Sequence, residues 1–167
     1  MKEEILSTDE NSEIFLNTVC FSGNREIPAE EMNYVLLRTE TMIRSILHFG
    51  YRTFLCGMAM GFDSIAFDIL QKMKAEYPDI KVVACVPCKG QEKYFPEDEK
   101  KAYRRRIEQA DRVICFSEKY TRYCMMERNI FMVDHSDIVV GYSRKTSGGT
   151  VNTLDYAKRK CREVMAV

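Results

Sequence analysis

Thr53-Phe-Leu-Cys-Gly-Met-Ala-Met-Gly-Phe-Asp63 reads as a short buried strand, a turn bracketed by Gly57 and Gly61, and the opening of a helix. Backbone amides exposed at such a turn, added to the helix dipole, form a site for an anionic group such as a phosphate. The stretch fits neither well-known phosphate signature. The dinucleotide fingerprint needs G-x-G-x-x-G and the P-loop needs Lys-Ser or Lys-Thr after its second glycine, whereas Phe62-Asp63 follows here. Two readings stand: a phosphate cradle, or glycines that only permit a tight strand-to-helix turn with positive φ.

Working outward, strands and helices alternate on both sides of this turn. Upstream, Ile14–Cys20 is a strand candidate closed by Phe21-Ser-Gly-Asn-Arg25. The helix that follows opens at Pro28, carries Glu30 and Glu31 at its positive end and stops at Gly50. Its apolar positions Met32, Val35, Leu36, Met42, Ile43, Ile46 and Leu47 keep the three-and-four spacing of one buried face. Downstream, a second helix places Ile65, Ala66, Ile69, Leu70 and Met73 on one face and ends before Pro78. Ile80–Val86 is nearly all apolar, the pattern of a strand covered on both faces. A polar loop at 88–97, a surface helix at 98–109, a strand at 111–117 and a helix capped by Thr121 and buried on more than one side come next. A strand at 136–142, a helix opening at Thr146-Ser-Gly-Gly-Thr150 and a strand at 163–167 complete the series. This alternation predicts one α/β three-layer domain over residues 13–167 with a mostly parallel sheet, after a loose lead-in at 1–12. Right-handed crossovers put every strand-to-helix turn on one edge, where ligands of such sheets bind.

Composition narrows the class. The chain has 167 residues, zero formal net charge, 46% apolar and 30% charged residues, an ordinary globular balance. Neutral charge argues against a dedicated nucleic-acid binder and leaves only a local basic patch open. Seven cysteines, several inside apolar runs, suit a reducing compartment. The first ten residues lack the basic start and apolar core of a signal peptide, and no apolar run approaches the ~20 residues needed to span a bilayer. A cytoplasmic protein with no membrane partner is expected.

Other strand ends resemble the first. Ser22-Gly23-Asn24-Arg25 offers a hydroxyl and a guanidinium, and Gly148-Gly149-Thr150 opens a helix with a hydroxyl for capping or for an anion. Convergence of these turns with Gly57–Asp63 predicts one pocket for a nucleotide-like ligand. Cys85-Val-Pro-Cys88 reads as one strand thiol and one loop thiol, since it opens no helix and has no second ligand pair for zinc. His135 reads as a helix-end histidine, Arg104-Arg105-Arg106 as a solvated helix end, and Met125-Met126 as core.

Taken together, Cys20–Arg25, Phe54–Asp63, Val86–Cys88, Tyr120–Asn129, Met132–Asp137 and Gly148–Thr150 resemble, in order, the YpsA-type family of the SLOG superfamily, which joins Smf/DprA and LOG proteins. The resemblance implies a Rossmann-like fold whose strand-end loops bind an NAD-derived ligand such as ADP-ribose, NAD or a related nucleotide, with no other cofactor required. It places Ser22, Gly23 and Arg25 in the first loop, Gly57, Met58, Gly61 and Asp63 in the second, and Gly148, Gly149 and Thr150 on the phosphate. Arg128 matches the arginine of the LOG segment M-x-x-R-K, and Asn129 stands where the LOG lysine does. The catalytic glutamate of the LOG motif P-G-G-x-G-T-x-x-E is Thr153 here. A sensor or regulatory module for such a nucleotide is therefore the favoured reading. Nucleotide N-glycosidic hydrolysis, with Arg128 as the tentative contact, is the alternative. Association with nucleic acid, by kinship to DprA, is the third, and a homo-oligomer stays open. Gly57→Val is expected to abolish ligand binding and leave the fold intact.

Overall fold

The computed structural model describes residues 17–167; the expected lead-in and the first residues of the expected strand at 14–20 lie outside the described residues. Six strands, β1 (Thr18–Gly23), β2 (Thr53–Cys56), β3 (Lys81–Val86), β4 (Arg112–Cys115), β5 (Ile138–Tyr142) and β6 (Glu163–Ala166), form one sheet in the order β4-β3-β2-β1-β5-β6. Every neighbouring pair is parallel, so the mostly parallel sheet expected is entirely parallel among the described residues. Five helices cover it: α1 (Ala29–His48), α2 (Phe62–Met73), α3 (Glu97–Gln109), α4 (Cys124–Asp134) and α5 (Gly149–Arg159). This is the expected α/β, Rossmann-like architecture. No helix of the described residues is long and apolar enough to cross a membrane.

The order of strands reverses beside β1. From β1 the chain steps outward through β2, β3 and β4, then returns to pair β5 with the opposite side of β1. β1 and β5 are held in register from Val19–Ile138 to Gly23–Tyr142, and a ligand crevice forms at this kind of switch point. Ser22 and Gly23 are the last two residues of β1 and pair with Gly141 and Tyr142, so this strand runs later in sequence than its apolar pattern suggests.

Apolar side chains of alternating strand positions feed two cores. One contains Phe21, Phe54, Phe62, Phe67 and Val82. The other contains Leu55, Val83, Met132, Val139 and Ala157. Phe21 stacks on Phe54 with ring centroids 6.1 Å apart, and Phe62 stacks on Tyr142 at 5.8 Å, an aromatic seam from β2 to β5 beneath the switch point. Six cysteines are buried and Cys161 is exposed, and all seven are free thiols.

Several faces differ from the periodicity. On α1, Thr39 is buried and Leu36 is 38% exposed, because the buried stripe runs through Val35, Thr39, Met42, Ile43, Ile46 and Leu47, and Leu36 lies about 100° around the helix from Val35. On α2, Phe67 is fully buried whereas Ile65 is only half-buried. α4 buries one stripe, Cys124, Arg128, Met132 and Val133, and leaves Met126 53% exposed; Met126 is not core. Arg106 is not a solvated helix end. It is buried against Asp68, with hydrogen bonds of 2.9 and 2.8 Å, while Arg104 and Arg105 are exposed. The polar loop at 88–97 includes a short 3-10 turn, Gln91–Tyr94.

Phe54 is 0% exposed within the seam. Phe54→Ala should lower the unfolding free energy by about 3–5 kcal/mol, as measured by urea denaturation; a loss below about 1 kcal/mol would contradict the packing described.

Candidate functional site

The carboxyl ends of β1 and β5 open onto a cavity of about 570 Å³. One wall is Phe21 to Glu26, including the carboxylate of Glu26 beside Arg25, the facing wall is Lys145 and Ser147–Thr150, and Ala59, Asp63, Met125, Arg128 and Asn129 close the rest. Of the residues expected from sequence, Ser22, Gly23, Arg25, Asp63, Arg128, Gly148, Gly149 and Thr150 meet here. Gly57, Met58 and Gly61 do not line the cavity; they build the layer beneath it.

The turn after β2 faces inward. The Phe62 amide donates to the Asn24 carbonyl at 3.1 Å, and the Ala59 amide donates to Asp63 Oδ2 at 3.3 Å. These amides of the glycine-bracketed turn thus serve protein acceptors. Gly61 has φ +81°, and a Cβ there would collide with the Arg25 and Asn24 carbonyls, so glycine lets the β1 loop lie directly on the start of α2. Met58 is also left-handed, at φ +62°, and is buried; a non-glycine residue in that region costs of order 1–2 kcal/mol.

A buried arginine forms part of the cavity floor. Arg128 projects from α4, and its Nη1 donates to the carbonyls of Gly57 and, at 3.1 Å, Cys85. Its Nε donates to Asn129 Oδ1 at 2.8 Å. The guanidinium therefore holds the ends of β2 and β3 to α4. Burial pushes its pKa down, against the opposing pull of Asp63. Asp63 is buried beside it. Burial raises its pKa from 3.8 to about 6, although Arg128, the Ala59 amide and Arg25 all favour the carboxylate. Gly57 makes room for this pair: a Cβ there would lie 2.6 Å from Arg128 Nη1 and 2.8 Å from Asp63 Oδ2. Gly57→Val would therefore act on the floor as well as on any ligand, since a side chain there displaces both groups.

The turn before α5 faces outward. Gly148 is the N-cap residue, with no side-chain cap and no acidic residue in the first helical turn. A Cβ on either Gly148 or Gly149 would meet nothing within 4 Å. Amides of a first helical turn, a positive dipole end and the cations Arg25 and Lys145 thus face one space. That arrangement suits an anion of phosphate type.

Asn24 organises the junction and went unnoticed in the sequence. It is 9% exposed. Its amide donates to the Tyr142 carbonyl at 3.1 Å, its Oδ1 accepts from the Arg144 amide at 2.8 Å, and its Nδ2 lies 3.5 Å from Thr150 Oγ1. A lone asparagine between Gly23 and Arg25 was the available signal. Lys145 and Ser147, just ahead of the glycine pair, were also missed. Thr153 Oγ1 donates to the Gly149 carbonyl at 2.8 Å and accepts from Asn129 Nδ2 at 3.0 Å, tying α5 to α4. His135 sits at the end of α4 with Nδ1 2.8 Å from the Phe131 carbonyl. No cluster of three or more metal-ligating residues occurs among the described residues.

A parallel sheet with a polar crevice at its switch point defines the Rossmann-like class. Within that class the family is clear: residues 27–165 match the model of YpsA, the YspA SLOG family, and the chain belongs to it. The chain is similar to the uncharacterized SPbeta prophage-derived protein YoqJ of Bacillus subtilis, 31% identical over 118 residues, which cover 64% of this chain and 69% of YoqJ. Its fold matches the X-ray structure of DNA processing protein A (DprA) from Streptococcus pneumoniae, TM-score 0.63 and 17% identity, over 89% of this chain and 49% of that one. It also matches DprA from Helicobacter pylori, a structure describing a single-stranded DNA binding mode, with TM-score 0.64 and 17% identity over 89% and 64% of the two chains. The chain thus spans about half to two thirds of those DprA chains.

The raised pKa of Asp63 fixes the sign of a pH effect. A carboxyl that holds its proton more tightly when folded stabilises the fold below its unfolded pKa, and that contribution is lost as pH rises through the folded value. Between about pH 4 and 6 Asp63 should therefore cost up to about 3 kcal/mol. Asp63→Asn should flatten this slope in thermal unfolding at pH 4.5–7; an unchanged slope would remove Asp63 as its source. Gly57→Ala should destabilise by about 1–3 kcal/mol, and a neutral result in urea denaturation would contradict the tight packing of the arginine.

Proposed function

We propose that this protein is a nucleotide-binding sensor or regulatory module for an ADP-ribose or NAD-related ligand. The observation that carries the reading is the open, uncapped start of α5 at Gly148-Gly149-Thr150 facing Arg25 and Lys145 across the switch-point cavity. Adjacent helix amides and two cations suit a pyrophosphate, and a cavity of about 570 Å³ is within the usual ~300–1,000 Å³ of small-molecule sites. Membership of the YpsA family supports a nucleotide-related role. Ser22, Gly23 and Arg25 take one side of the ligand, and Gly148, Gly149 and Thr150 the phosphates. Gly57, Met58, Gly61, Asp63 and Arg128 shape the floor. Six buried free thiols support a reducing, cytoplasmic setting.

Binding rather than turnover is favoured because Thr153, at the position of the LOG glutamate, has its hydroxyl engaged by Gly149 and Asn129. Titration calorimetry with ADP-ribose, NAD and AMP should give saturable heat with at least one of them. Silence with all three, together with no thermal shift, would overturn the reading. Arg25→Ala and Thr150→Val should each weaken the productive ligand by about tenfold, or 1.4 kcal/mol. Protonating Asp63 makes the cavity one charge less negative, so ADP-ribose, whose pyrophosphate stays ionised, should bind more tightly at pH 5.5 than at pH 7.5. The reverse trend would exclude Asp63 as the controlling group.

A further inference from the structure

A second hollow adjoins the cavity. The facing sides of α4 and α5 enclose about 450 Å³, and Met125, Asn129 and Gly149 belong to the walls of both spaces. The two differ in chemistry. The switch-point cavity is lined mainly by hydroxyl, amide and charged groups with glycine backbone. The α4–α5 groove instead presents Met125, Met126, Ile130 and the ring of Tyr156, with Arg122 and Arg159 among its walls and no carboxylate. Its floor is fixed, because Asn129 Nδ2 bonds Thr153 Oγ1 at 3.0 Å and Tyr156 OH donates to Asp134 at 2.9 Å. Arg159 lies 5.8 Å from the Tyr156 ring centre, so a cation already meets an aromatic face at this groove.

We infer that the α4–α5 groove is the base-binding half of the site: it takes the planar heteroaromatic ring of a nucleotide whose sugar and phosphates occupy the neighbouring polar cavity. This rests on the nucleotide reading above and adds where the base goes. Methionine thioethers and an aliphatic branch make favourable contacts with a flat aromatic ring, and guanidinium groups stack on such rings. Shared walls at Met125 and Gly149 place the ring within one nucleotide's reach of the α5 amides. A groove with two cations and no carboxylate also suits a ligand whose net charge is negative. The inference assigns Met126, exposed on the surface of α4, a task that neither folding nor the polar cavity gives it.

The test separates base from sugar phosphate. Met126→Glu puts a carboxylate in the groove at an exposed position, and Arg159→Glu does so from α5. Affinity for ADP-ribose is measured by calorimetry, ribose 5-phosphate is titrated to millimolar concentration by NMR, and the fluorescent ring of etheno-ADP-ribose reports its surroundings. Each variant should weaken ADP-ribose at least tenfold, leave ribose 5-phosphate within about twofold, and reduce the change in etheno fluorescence on binding. Unchanged ADP-ribose affinity in both variants overturns the inference and leaves the nucleotide reading standing. Equal weakening of ADP-ribose and ribose 5-phosphate also overturns it, since the groove would then act on the whole site. Failure of the wild-type protein to bind either compound overturns both. Thermal unfolding checks that the variants are folded, and two substitutions on different helices keep the result independent of one misfolded protein.

Discussion

A guanidinium buried under the sheet's carboxyl edge is the interaction on which the rest of the site depends. An unpaired charge in the interior is costly, and Arg128 meets that cost by donating to carbonyls at the ends of two strands, Gly57 and Cys85, with Asp63 close by. The consequence is geometric. α4 is held to β2 and β3 by side-chain bonds to backbone, so the floor under the cavity is rigid. The requirement for glycine at 57 follows from fitting a guanidinium and a carboxylate into one space.

Two glycine turns that look alike in sequence thus divide the labour. At the one after β2 protein groups take two of the amides, Asn24 that of Phe62 and Asp63 that of Ala59. At the one before α5, a Cβ on Gly148 or Gly149 would meet nothing within 4 Å. Helix starts attract anions by the same physics in both cases, and what separates them is whether the chain supplies the anion itself. Asp63 does so at α2, and no acid stands in the first turn of α5.

The alternation of apolar strands with amphipathic helices carried the whole architecture, because period and burial are local properties. The nearly unbroken apolar run Ile80–Val86 contains an interior strand, β3, buried from Val82 to Val86, as its composition implied. Of the three turns expected to converge, Ser22–Arg25 at the end of β1 and Gly148–Thr150 line the cavity, while the Gly57–Asp63 turn reaches it only through Ala59 and Asp63. What escaped was partnership. Nothing local distinguishes Arg106, matched to Asp68 on another helix, from its exposed neighbours Arg104 and Arg105. Nor does Asn24 announce that it will bond Tyr142, Arg144 and Thr150 at once. Gly57 was legible as a special position, but its reason, room for a buried ion from a helix far along the chain, depends on packing.

The cavity's two walls are neighbours in space and distant in sequence. The Asn24–Thr150 and Arg144–Asn24 bonds bridge 126 and 120 residues, across a β1–β5 pairing that must close nearly the entire sheet into register. Closing a loop of that length is slow relative to forming the helices and the β2–β3–β4 neighbours. The crevice therefore exists only once β5 has paired with β1. A partly folded chain with β1 through β4 in place has one wall and no pocket. Any ligand that needs both walls would stabilise the whole domain rather than one part of it.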